Sequence, residues 1–316
     1  MKTELQQALS EIEVTEPTTA GGLQIFGLRW TIKSDLFYVT LDEALADESL
    51  EITEVSERGD VPTLMVISNS DTMIFLMAGE QLIGAKQNRV LNVSIMIAAH
   101  GKVPIPVSCV EHGRWNYHSR KFHSSGSASH GHLRKQMAED VYDSYHRMRR
   151  PMSEQGKVWN EVSRKLGKMG SRSGSDALEQ AYEDRQAEIG NIIRDARIPA
   201  DCCGVVFAFD GKIAGMDIFD KPSTLSKLSP KLIKAYAIDA LEEKYDTAQI
   251  SRKAVKDWIC SVAEAHSDSF QSPGTGADIR MRSKSLIGAS LLVDGCPVHT
   301  ELFFSSLRDF VSSAPA

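Results

Sequence analysis

Short apolar runs alternate with polar breaks through the first third of the chain. LQIFGLRW (23–30), FYVTL (37–41), LEITEVS (50–56), TLMVISN (63–69) and TMIFLMA (72–78) are separated by Gly, Asp, Ser or Asn. That spacing predicts antiparallel strands, with LDEALADE (41–48) as a short helix between two of them. From 132 onward the period lengthens. HLRKQMAEDVYDSYHRMRR (132–150) sets Leu133, Met137, Val141 and Tyr145 at helical spacing, and Pro151 ends it. KVWNEVSRKLGKM (157–169) and SDALEQAYEDRQAEIGNIIRDAR (175–197) predict two further helices, the latter with Ser175 as N-cap and Pro199 as stop. HSRKFHSSGSASHGH (118–132) reads as a loop.

Two later segments echo each other. VVFAFDGKIAGMDIF (205–219) and ASLLVDGCPVHTELF (289–303) each hold Asp-Gly between apolar runs, the signature of a type I′ hairpin. Between them, SPKLIKAYAIDALEEK (229–244) predicts a helix with Ser as N-cap and Pro at its first position, and SRKAVKDWICSVAEAH (251–266) another. The expected fold class is α+β: an antiparallel, sandwich-like sheet core with a helical insertion and two later Asp-Gly hairpins. The expected organisation is a single integrated domain over 21–312. Its parts are a β-rich 21–117, a helical insertion 118–199 and a hairpin-and-helix 201–312, preceded by an extension of 1–20.

Parity along 89–97 and 103–111 predicts how two of the strands meet. Leu91, Val93, Ile95 and Ile97 share one face, as do Val103, Ile105 and Val107. Pairing positions that sum to 200 matches apolar faces, with AAHGK (98–102) as the hairpin loop. Extended, this register sets Arg89 opposite Glu111 on the apolar side and Asn88 opposite His112, and gathers Lys86, Gln87, Arg114 and Trp115 at the open end. An inward Arg needs a partner, and Glu111 is the expected one. Pro104 and Pro106 mark one side of their strand as an edge.

Composition narrows the field. The 316 residues are 42% hydrophobic and 25% charged, with a formal net charge of -6, so no general nucleic-acid-binding face is expected. No apolar run approaches the ~20 residues that cross a bilayer, and MKTELQQALSEIEV lacks a signal-peptide core, so a cytoplasmic location and no membrane partner are expected. The five cysteines include no CxxC pair and read as reduced, mostly buried thiols. Cys109 reads as structural, because His112 faces away from it.

Two functional readings follow from the polar cluster. In one, Lys86, Gln87, Asn88, Arg89, Arg114 and Trp115 bind a small anionic, nucleotide-like ligand, with Glu111 and then Glu80 as candidate catalytic acids or bases. In the other, the same residues form an internal ion-pair network in a non-catalytic module that meets a protein partner or a second copy of itself. No cofactor is expected. No metal is expected either: the histidines at 118, 123, 130 and 132 crowd a Ser/Gly loop with no acidic ligand interleaved. GSRSGS (170–175) lacks phosphate-loop spacing and reads as a linker. Glu242-Glu243 reads as solvated charge.

At GEQLIGAKQNRVLN (79–92) and VPIPVSCVEHGRW (103–115) the chain resembles the ARPP-1 family. LDEAL (41–45), QGKVWNEV (155–162) and the 205–219 hairpin match more weakly, so the resemblance runs from about Leu23 to Phe304. The family's motif positions fall on Glu80, Lys86, Gln87, Asn88, Arg89, Cys109, Glu111, Arg114 and Trp115. His112 stands where relatives are expected to carry Gln. The family is named for its association with ADP-ribosylglycohydrolase and rhodanese-phosphatase-like proteins in prokaryotes. The resemblance therefore implies a setting in ADP-ribose or nucleotide processing, with defence systems as one such setting.

Overall fold

A computed structural model describes residues 4–32, 34–242 and 248–305. In it the alternating runs become strands of mostly antiparallel sheets, giving an α+β fold. Residues 4–20 hold α1 (Glu4–Ser10), β1 (Glu13–Val14) and β2 (Thr18–Ala20), and both strands pair with β3 (Leu23–Arg29). Next come β4 (Tyr38–Thr40) and the predicted short helix, α2 (Leu41–Ala46). The Glu43 carboxylate accepts the Thr40 N–H at 2.8 Å, as in a capping box. The β-rich part continues with β5 (Leu50–Glu54), β6 (Thr63–Ser68), β7 (Met73–Leu76), β8 (Glu80–Gly84), β9 (Arg89–Leu91), β10 (Ile95–Ile97), β11 (Lys102–Cys109) and β12 (Phe122–Ala128). Six of these form a sheet in the order β12-β8-β9-β11-β6-β5, and β10-β7-β4 form a second.

The helical part holds α3 (Gly131–Met148), α4 (Gln155–Met169), α5 (Glu179–Asp184) and α6 (Gln186–Asp195). Then come β13 (Gly204–Phe209), β14 (Lys212–Phe219), α7 (Pro222–Glu242), α8 (Arg252–Cys260), β15 (His266–Gln271), β16 (Ala277–Arg282), β17 (Leu286–Val293) and β18 (Cys296–Phe304). These strands join β1–β3 in the order β1-β3-β13-β14-β18-β17-β16-β15, with β2 on β3. Both Asp-Gly hairpins form as expected. Asp210 and Gly211 have φ of 51° and 66°, and Asp294 and Gly295 have 49° and 77°, the doubly positive pattern of a type I′ turn.

Several local expectations are corrected. The 89–97 and 103–111 segments do not form one hairpin. Ile95–Ile97 pairs with β7, and Lys102–Pro106 pairs with β6. Only Arg89–Leu91 meets β11, with Arg89 opposite Cys109, so paired positions sum to 198 rather than 200. The two-residue shift keeps the parity of the paired residues Arg89–Leu91 and Val107–Cys109, but not the predicted side of Glu111, which lies beyond β11. The chain bends at Asn92–Ser94 and leaves one sheet for the other, which parity along the strand cannot reveal. The 118–132 loop contains β12, whose small polar side chains are met by Lys231 Nζ at Ser124 and Lys234 Nζ at Ser127.

Residues 175–197 split into α5 and α6 at Arg185, and Ser175 lies outside both helices, its hydroxyl given to Glu111. Helix α7 begins at Pro222 and not at Pro230, which lies inside it. The Ser226 carbonyl, which Pro230 cannot serve, accepts Ser229 Oγ at 3.4 Å. Ser251 does cap α8, yet that helix ends at Cys260, and His266 already opens a strand. The predicted ends at 244 and 312 lie outside the described residues.

A buried polar network joins these parts. Arg134 on α3 donates through both terminal nitrogens to Asp217 on β14, and to Glu301 on β18 at 2.8 Å. His299 Nε2 lies 3.1 Å from Asp217, and its Nδ1 lies 2.7 Å from Ser94 Oγ, just before β10. Burial pulls the Asp217 carboxyl up, but Arg134 and His299 outweigh it and hold it at about 2. Ser94, His299 and Asp217 have the order of a nucleophilic triad. All three are buried, however, and the adjoining cavity of about 10 Å³ has room for one water and not for a substrate. Arg134→Ala strands two buried carboxylates. It should destabilise the fold by about 3–5 kcal/mol in urea denaturation, and a loss under ~1 kcal/mol would show that the network carries little.

Candidate functional site

The turn between β8 and β9 sends its polar side chains to two sides. On one side Arg89 is fully buried, 3.5 Å from Glu54, with Nη1 donating to the Gln87 carbonyl at 3.1 Å. Its guanidinium lies 5.7 Å from the Trp115 ring centroid. Lys86 donates to the Glu57 carbonyl at 2.6 Å and stands 5.4 and 5.0 Å from the Trp115 and Tyr117 rings. Lys86, Gln87, Arg89 and Trp115 thus form a cation–aromatic cluster with Glu54 as its counter-charge. The expected Arg89–Glu111 pair is not made. The register shift sets Cys109 opposite Arg89 and carries Glu111 past the end of β11, so Glu54 takes the role instead.

Glu111 faces the other side. It accepts Arg114 Nε at 2.9 Å, Arg114 Nη2 at 2.7 Å, the Asn88 N–H at 2.9 Å and Ser175 Oγ at 2.6 Å. Burial pulls its carboxyl up, but these donors outweigh burial and hold it below the ordinary value. Arg114 spends its other N–H groups on the Ala85, Asn116 and Gly84 carbonyls and on Asn88 Oδ1. The pair is saturated and ionised, so Glu111 is better placed to organise a site than to move a proton. Glu80 lies elsewhere, buried on β8 at 2.5 Å from Lys231 of α7. Cys109 is buried, which pushes its thiol up to about 11 and keeps it protonated.

Beside Glu111 opens a cleft of about 620 Å³. Asn88, Glu111 and Arg114 form one wall, His118, Ser119 and His123 the rim, and the 173–183 segment the facing wall. An isolated bridge between Glu111 and Ala177 holds the walls together, with the Leu178 N–H on the Val110 carbonyl at 2.9 Å. Two residues on, Glu179 starts α5 half-buried in the cleft wall, and its Oε2 is buried without a hydrogen-bond partner. Burial pushes this carboxyl up to about 7, with the help of Glu183 and against the pull of Lys234 and of hydrogen bonds from Ser127 and Ser125. The sequence reading missed Glu179 because an acid within a long predicted helix looks like any solvated charge.

The family model of the ARG and Rhodanese-Phosphatase-superfamily-associated Protein domain matches residues 11–303. The chain belongs to the ARPP-1 family. No curated protein and no solved structure matches it. The family name links the domain to ADP-ribose and rhodanese-phosphatase contexts. In this ARPP-1 chain the motif residues divide as described: Lys86, Gln87, Arg89 and Trp115 in the cation–aromatic cluster, Asn88, Glu111 and Arg114 in the cleft wall, and Glu80 against α7. No helix among the described residues is long and apolar enough to cross a membrane.

The Glu179 carboxyl gives a pH signature. Its ordinary value of 4.5 applies in the unfolded chain and about 7 in the folded one. Between those values the unfolded chain releases a proton that the folded chain keeps, so this group costs stability as pH rises and the cost is complete above pH ~7. Glu179→Gln should therefore raise the melting temperature more at pH 8 than at pH 4. Equal shifts at both pH values would show that the carboxyl is not perturbed.

Proposed function

We propose that the chain binds a ribosyl ligand of the ADP-ribose class in this cleft, with Glu179 as the group that gives or takes a proton there. The carrying observation is the convergence of Asn88, Ser173, Ser175 and Gln180 on a cleft that Glu179 also lines. Its volume suits a small molecule, for which ~300–1,000 Å³ is usual. Hydroxyl-rich ligands match such a lining, since carboxylates and amides accept O–H donors. Glu111 stays ionised and aligns the wall, while Glu179 is half-protonated near neutrality, as a group that gives or takes a proton requires. His118 and His123 at the rim are the available cations for a phosphate when protonated. On this reading the chain works as one integrated domain, since the cleft needs both the β-rich part and the helical part.

A non-catalytic interaction module is the second reading, favoured by the saturation of Glu111 with Arg114 and the burial of Arg89 against Glu54. Calorimetric titration with ADP-ribose separates the two. The wild type and Lys86→Ala should bind alike, because Lys86 lies outside the cleft. Folded Glu179→Gln should bind at least tenfold more weakly, about 1.4 kcal/mol. Loss of binding in a folded Lys86→Ala would move the site to the cation–aromatic cluster. No binding by wild type at millimolar ligand would leave the interaction module standing.

A further inference from the structure

His130 and His132 flank Gly131 at the start of α3, outside the cleft. His130 is the fully buried N-cap of that helix, and Asp239 on α7, also fully buried, faces both rings. His130 Nδ1 lies 3.3 Å from Asp239 Oδ1, and His132 Nδ1 lies 3.6 Å from the same oxygen. The three ligand atoms offered by these residues fall within 4.8 Å of one another. In a tetrahedral zinc site with bonds of about 2.0–2.1 Å, neighbouring ligand atoms stand about 3.3–3.4 Å apart. Both His–Asp distances are close to that spacing, and His130 Nδ1 otherwise accepts a long 3.4 Å bond from the Leu133 N–H that a metal would replace. The acid absent from the sequence segment is supplied by α7, and the backbone fixes its orientation: Asp239 Oδ2 accepts the His132 N–H at 3.3 Å. Gly131 permits the approach, since a Cβ there would stand 2.7 Å from the Tyr236 ring and 3.0 Å from Asp239 Oδ2.

A second observation concerns the far side of the His130 ring. Its Nε2 is buried without a hydrogen-bond partner, and Glu161 Oε1 lies 3.5 Å away. A metal-bound imidazole commonly turns its other N–H toward a carboxylate in this way. We propose that His130, His132 and Asp239 bind a divalent transition-metal ion of the zinc type, with Glu161 orienting His130 from behind. Lys165 Nζ contacts Asp239 Oδ1, but it also holds Glu242, which can keep it when the metal takes Asp239. Asp239, Glu161 and Glu242 face Lys165 and Arg164, one negative charge in excess, so a dication is favoured. The His132 side chain is 46% exposed and gives the ion access from solvent.

The test is calorimetric titration of chelator-stripped full-length protein with zinc and, separately, magnesium. Wild type should bind one zinc per chain and gain melting temperature, and magnesium should do neither, since two imidazoles disfavour it. His132→Ala removes an exposed ring, so its metal-free melting temperature should match wild type. Its zinc affinity should fall at least about tenfold. Zinc binding that survives in His132→Ala, equal binding of magnesium, or no zinc binding by wild type would each overturn the proposal.

Discussion

The fold turns on one guanidinium. Arg134 sits between Asp217 and Glu301 with almost no solvent, and the cost of burying these charges is offset only while all of them are paired. The requirement spreads outward. His299, held by Asp217, holds Ser94, and Ser94 Oγ accepts the Ala78 N–H at 2.9 Å. Those contacts pin the place where the chain leaves β9 for β10. Gly79, which opens the GEQLIG segment, has φ of 84°, and a Cβ there would stand 2.9 Å from Arg134 Cδ. The glycine is demanded by the arginine packed on it as much as by the turn.

The cleft is a consequence of how Glu111 is satisfied. One carboxylate collects donors from the Asn88 backbone, Arg114 and Ser175, and so ties the β8–β9 turn, the segment after β11 and the 170–178 loop at one point. Charge is spent on alignment there, and on the proposed reading the proton transfer falls to Glu179, whose burial holds its carboxyl up near neutrality. A saturated ion pair then stands beside a carboxyl with one buried, unpartnered oxygen, and the proposed division is between rigidity and chemistry.

Much of this was legible in the sequence wherever the deciding physics is local. The Asp-Gly hairpins formed because two positive φ angles are a property of the dipeptide. The faces of the strands were right because parity is a property of one strand. Partners were not legible, since the apolar alternation of Ile95–Ile97 and of Val103–Val107 fits several neighbours equally well. Arg89 was correctly read as inward and in need of an acid, but the acid came from β5, 35 residues upstream. Likewise β12 looked like a loop because the lysines that satisfy it lie on α7, 107 residues away. Glu179 carries little local mark, because its perturbation comes chiefly from burial, with Glu183 a lesser contributor.

Helix α7 sets two charges, Lys231 and Asp239, into an otherwise largely apolar inner face. Lys231 reaches inward to Glu80, Asp42 and Ser124, and Asp239 reaches inward to Lys165 and the 130–132 turn. A helix held by an apolar stripe alone can creep along its axis at little cost. This one is keyed at two points about 12 Å apart along that axis, at 1.5 Å per residue. A slide of one turn would unseat both charges together, so α7 behaves as a gauge rod, setting the spacing between the strands at Glu80 and the helices at Lys165.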